Sequence, residues 1–135
     1  MGRQHDQDTC VTVHLPYHPS SVRRARHLLA EDLRRTGVRE SVVDDAGLVV
    51  SELLTNGLVH GSPNADRMIA VSWCLRPECL WLSVVDGGSV DELKAVQLND
   101  HALSGRGLAI VDHVCDRWGF ERSNGTRVTA ELAYA

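Results

Sequence analysis

The sequence predicts a two-layer α/β sandwich of the α+β class: a mostly antiparallel mixed sheet covered on one face by three helices. Three observations predict it. Apolar runs joined by short turns, R-P-E at 76–78 and S-N-G at 123–125, imply hairpins and therefore antiparallel pairing. Three further stretches carry apolar residues at helical spacing and need one common face to cover. The regular strand and helix alternation of a doubly wound sheet is absent. With 135 residues, 43% of them apolar and 24% charged, the chain has the size and balance of one compact domain. It divides into a polar N-terminal tail, residues 1–8, and a single domain over 9–135.

Taken in order, T-C-V-T-V-H alternates from Thr9 to His14 and reads as a strand that Pro16 ends. Pro19, Ser20 and Ser21 then open a helix to Thr36, with Val22, Ala25, Leu28, Leu29 and Leu33 on one face and Gly37 as its stop. Arg23, Arg24, Arg34 and Arg35 lie on the other face, suited to a solvated surface or to a partner. A second helix is expected from an N-cap at Ser41 to Val59, before Gly61 and Pro63. Met68 to Leu75 and Cys79 to Val85 read as a hairpin. After a polar, irregular stretch, two glycines lead into a third helix at G-R-G-L-A-I-V-D-H-V-C, and Arg117 to Arg122 and Thr126 to Leu132 close the chain as a second hairpin.

Composition excludes several classes. No window approaches the roughly 18 to 20 apolar residues of a membrane span, and the start M-G-R-Q-H-D-Q-D-T-C is too polar for a signal peptide. A soluble, cytoplasmic protein without a membrane partner is expected. Lys plus Arg 14 against Asp plus Glu 18, a net charge of −4, argues against direct binding of nucleic acid. Cys10, Cys74, Cys79 and Cys115 form no Cys-x-x-Cys pair and stand beside no zinc-type His pair, so all four are expected as free thiols.

The second helix carries the most chemical information. At about 100° per residue, Val42, Val43, Ala46, Val49, Val50 and Leu53 share a broad apolar face, with Asp44, Ser51 and Thr55 opposite. Glu52 and Asn56 fit neither group. Four apart, they stack along the border of the apolar face, one turn before His60. An amide oxygen there can ligate Mg²⁺ without adding charge, and a carboxylate one turn away can orient or deprotonate a hydroxyl. A solvated helix edge accounts for the same pair, and His60 reads as a residue that caps or packs at the helix end. Asp86, at a strand end, can accept a hydrogen bond from an exocyclic amine, and Gly88 lets a flat base approach the backbone; Asp-Gly is also an ordinary turn dipeptide. Backbone N–H groups at Gly105, Arg106, Gly107 and Leu108 precede a helix, as in phosphate sites, and as in any loop that enters a helix through glycine. No G-x-x-x-x-G-K-[ST] occurs, which excludes a P-loop.

E-L-L-T-N-G-L-V-H-G at Glu52 to Gly61, V-V-D-G-G at Val84 to Gly88, S-G-R-G-L-A-I-V-D at Ser104 to Asp112 and G-T-R-V-T-A-E-L at Gly125 to Leu132 occur in that order. Together they resemble the N-box, the two glycine boxes and the closing strand of the GHKL, or Bergerat-fold, ATP-binding family. The nearest resemblance is to the small bacterial anti-sigma-factor serine kinases. It implies ATP and Mg²⁺ as cofactors, Mg²⁺ on Asn56, Glu52 as the catalytic base, Asp86 and Gly88 at the adenine, Gly105 to Leu108 at the phosphates, and Thr126 joined to Asp86 around the adenine through water. Val90 stands where the family often has a further glycine. The implied activity is phosphorylation of a serine on an anti-anti-sigma (STAS) protein, alternating with capture of a sigma factor, in a protein that can form a homodimer. A non-catalytic ATP-binding interaction module fits the same residues. The catalytic domain of a histidine kinase fits less well, because no long paired helices with a phosphoacceptor histidine stand in this sequence.

Overall fold

The structure, a computed structural model, describes residues 9–87, 109–122 and 125–134. Strand β1 (Thr9–Pro16) is followed by helices α1 (Ser20–Arg35) and α2 (Glu40–His60), the hairpin β2 (Met68–Leu75) and β3 (Cys79–Gly87), the short helix α3 (Ala109–Val114), and the hairpin β4 (Arg117–Arg122) and β5 (Gly125–Ala133). The strands form one five-stranded sheet in the order β1-β2-β3-β5-β4. Every pairing among the described strands is antiparallel; short connections require this for β2–β3 and β4–β5, and β1–β2 and β3–β5 adopt it across longer connections.

Strand alternation decides which side chains enter the core. Ile69, Val71 and Trp73 of β2, Leu80, Leu82 and Val84 of β3, and Val128, Ala130 and Leu132 of β5 are buried at every second position, the period of a sheet covered on one face. Against them pack Ala25, Leu29 and Leu33 of α1 and Val43, Ala46, Val49, Val50, Leu53 and Leu54 of α2. Each fully buried leucine or valine contributes about 1.5 to 3 kcal/mol relative to exposure. Trp73 lies in this core with its ring N–H donating to Asp32 of α1 at 2.8 Å, and Trp118 likewise donates to Asp112 of α3 at 3.1 Å.

The helix ends follow local chemistry, with one correction. Helix α1 stops in a Schellman turn: Gly37, at φ 86°, donates to Arg34 O at 3.1 Å and Val38 donates to Leu33 O at 3.0 Å. The second helix was expected to start from an N-cap at Ser41. The observed N-cap lies two residues earlier, at extended Arg39, which makes no side-chain cap bond. Glu40 in the first turn is held instead by Arg34, at 2.5 Å, an ion pair that lowers the Glu40 pKa and raises that of Arg34.

The expectation of four free thiols is overturned. Cys10 and Cys74 form a disulfide, with Cα atoms 4.0 Å apart, and Cys79 and Cys115 remain free. The two bonded residues are 64 positions apart in sequence, but the β1–β2 register sets them directly opposite each other.

Candidate functional site

The same alternation that builds the core also creates a polar exception to it. Leu80, Leu82 and Val84 point to the helix layer, and Asp86 takes the next position in that line, so its carboxylate is only 5% exposed. Thr126 is its register partner across the β3–β5 ladder and shares that face. At Gly87 the strand turns through φ 80°, and its amide donates to Ser62 O at 2.6 Å. This bond fastens the end of β3 to the loop that follows α2.

The C-terminal half of α2 forms the opposite wall. Leu53, Asn56, Gly57, His60 and Gly61 face Val84, Asp86, Thr126 and Val128 across a cleft. Glycine matters at two of these contacts. A Cβ at Gly61 would overlap the Asp86 carboxylate and Gly57 O, and one at Gly125 would overlap Asp86 O, so neither backbone could sit this close with a side chain.

Asn56 is 8% exposed, and its Oδ1 has no hydrogen-bond partner among the described residues. A buried amide oxygen left unsatisfied costs about 1 to 3 kcal/mol. In a cleft wall, such an orphan acceptor marks a place where a cation or donor belongs. It is a neutral, hard oxygen of the kind Mg²⁺ takes, so the residues present fit that ion.

Of the residues singled out in the sequence, Asn56, Asp86 and Thr126 come together in this cleft. Glu52, one turn before Asn56, is half-buried and is not part of the wall formed by the described residues. His60, expected only to cap or pack at the helix end, closes α2, is exposed, and lines the cleft. Gly88, Val90, Gly105, Arg106, Gly107 and Leu108 lie outside the described residues. Sequence reasoning missed two contributors. Gly61 faces Asp86, and Tyr17, in the β1–α1 turn, donates to Gly57 O at 2.8 Å. Gly57 and Gly61, one turn apart, were a visible signal of close approach; nothing in the sequence pointed to Tyr17.

A helix-covered antiparallel sheet of the α+β class thus carries a cleft with a buried aspartate at a strand end and a buried asparagine oxygen across from it. The profile of the histidine kinase-like ATPase domain matches residues 15–132, and the chain belongs to that family of ATP-binding domains. Among thirteen similar chains of solved structures is the crystal structure of the RsbU and RsbW domains of Rv1364c from Mycobacterium tuberculosis. It superposes with a TM-score of 0.70 at 22% identity, over 92% of this chain and 32% of that one, a likeness of fold. The chain thus spans about a third of that protein's length. No curated protein matches it. Among the described residues, no helix is long and apolar enough to cross a membrane.

Proposed function

We propose that this domain binds ATP with Mg²⁺ and acts as an anti-sigma-type serine kinase. It phosphorylates a serine on an anti-anti-sigma (STAS) protein and, in alternation, sequesters a sigma factor. The observation that carries the nucleotide reading is the pairing of Asn56 Oδ1, buried without a partner, with Asp86, buried on the facing wall. The fold shared with a structure that contains an RsbW domain supports the regulatory part, together with the four sequence boxes.

In this reading the Asp86 carboxylate accepts from the exocyclic amine of adenine, and Gly61, in the cleft wall, carries no side chain to displace that carboxylate. Thr126 lies beside Asp86 to complete that recognition. Asn56 would hold Mg²⁺, which supplies charge neutralisation on the phosphates when bound. Glu52 orients the incoming serine and takes its proton as the γ-phosphoryl group passes to the serine oxygen and ADP leaves. The phosphates themselves are assigned by resemblance alone to Gly105, Arg106, Gly107 and Leu108, and the base edge to Gly88.

The test joins equilibrium titration with ATP, ADP and GTP to single-turnover transfer from labelled ATP onto a STAS-type substrate. The Glu52→Gln protein should bind ATP as well as the parent or better, because a carboxylate near a triphosphate repels it. Its transfer rate should fall by roughly 10² to 10⁴. An unaltered rate removes Glu52 from the mechanism. Tight ATP binding with no transfer by the parent replaces the kinase reading with that of an ATP-binding interaction module.

A further inference from the structure

Tyr17 belongs to none of the sequence boxes, yet it touches the cleft's scaffold at two places. Its hydroxyl donates to Gly57 O at 2.8 Å and lies 3.2 Å from Leu58 O. Its backbone amide donates to Arg67 O at 3.1 Å, where the loop after α2 enters β2. The carbonyls of a helix's last turn lack partners within the helix, and here a side chain from another element supplies one. Gly57 O also accepts the Gly61 N–H, at 2.9 Å. One tyrosine therefore holds both ends of the stretch 57–67.

That stretch carries the contact on which the cleft's shape depends. Gly61 lies so close to the Asp86 carboxylate that no Cβ fits between them, and Ser62 O accepts from Gly87, next to Asp86. The carboxylate thus meets a wall whose position is set from behind by the phenol. Burial, and then the charge of Asp86, raise the Tyr17 pKa above 10.0, so the hydroxyl remains a donor throughout the neutral range.

We infer that Tyr17 is a positioning residue for nucleotide selectivity: bonded to the carbonyls of Gly57 and Leu58, it fixes the Gly61 turn against Asp86 and so sets the geometry in which that carboxylate meets the base. This rests on the reading of the cleft as an adenine site. A tyrosine that merely joined β1 to α2 would affect every ligand of the domain equally. One acting through Asp86 affects only ligands that offer an amine to it.

The experiment compares ATP with inosine triphosphate, which carries a carbonyl in place of the exocyclic amine. It uses the parent, Tyr17→Phe, Asp86→Asn and the double variant, with thermal melts alongside. For Tyr17→Phe, ATP affinity should fall on the order of tenfold, inosine triphosphate affinity should stay within about twofold, and adding the change to Asp86→Asn should cost little more. Because phenylalanine keeps the ring, the fold should survive, and the second nucleotide reports on any protein that is partly unfolded. An equal fall for both nucleotides, full retention of the preference for ATP, or additive losses in the double variant would overturn the role of Tyr17. A parent that binds both nucleotides alike would instead overturn the reading of Asp86 on which it stands.

Discussion

Asn56 is the residue whose environment most directly calls for a ligand. Its carbonyl oxygen is buried and has no hydrogen-bond partner among the described residues; if it holds Mg²⁺ as proposed, replacing it removes that ligand and leaves Asp86 in place. Asn56→Ala should therefore weaken ATP binding mainly in the presence of Mg²⁺, and its ratio of affinities with and without the ion should drop below the parent's in calorimetric titrations. Equal ratios would return Asn56 to a structural role. The sequence pattern had placed Asn56 beside Glu52 on the border of an apolar face, which was correct for both. It could not show that Asn56 would be buried facing Val84, Asp86, Thr126 and Val128 across a cleft while Glu52 stays half-buried outside it, because that depends on which strand lies beneath each turn of the helix.

At the scale of elements, α1 is joined to the sheet by polar contacts within a largely apolar seam, Ser21 to Pro16 O at 2.6 Å and Asp32 to Trp73. Asp32 accepts from the Trp73 ring at 2.8 Å and from Arg35 at 2.6 Å. Trp73 is 2% exposed, so Asp32→Ala would leave its N–H buried without this acceptor. A loss of about 1 to 3 kcal/mol is expected from denaturant unfolding, and a loss within about 0.5 kcal/mol, the range of ordinary surface changes, would show that water replaces the carboxylate. The elements themselves were legible in the sequence: the apolar positions named for α1 and α2 are buried or partly buried, and the β2–β3 hairpin turns where Arg76, Pro77 and Glu78 stand. The N-cap of α2 is Arg39, two residues before Ser41; the exposed Glu40–Arg34 ion pair spans the inter-helix turn beside it, and the structure gives no further reason for the earlier start.

The whole molecule is closed by covalent and by titratable contacts. The Cys10–Cys74 disulfide fastens the edge strand β1 across a 64-residue separation, and closing such a loop stabilises a fold by about 2 to 4 kcal/mol. Dithiothreitol should lower the denaturant midpoint accordingly, and a Cys10→Ser, Cys74→Ser protein should match the reduced parent without responding to reductant. An unchanged midpoint on reduction would show that the pair contributes nothing. Cys115 behaves differently. Burial, with Asp116 and Asp112 nearby, pushes its thiol from 9.0 up to about 12. Between those values the unfolded chain has lost a proton that the folded one keeps, so stability falls as pH rises above 9.0 and is unaffected by this group below it. Unfolding measured on either side of that pH should show a shallower decline in Cys115→Ala than in the parent.

Periodicity, turn residues and charge balance are properties of short stretches, and they determined the elements, the fold class and the order of the boxes from the sequence alone. Tertiary structure decided everything that depends on register between distant segments: Cys10 opposite Cys74, Thr126 opposite Asp86, Gly61 against that carboxylate, and Tyr17 behind Gly57. The physical reason is that a one-residue slip between β1 and β2, or between β3 and β5, would turn the side chains to the other face and separate the pair that each ladder carries, while Gly61 and Tyr17 meet their partners only once α2 is packed on the sheet. No local pattern records which register the assembled core selects.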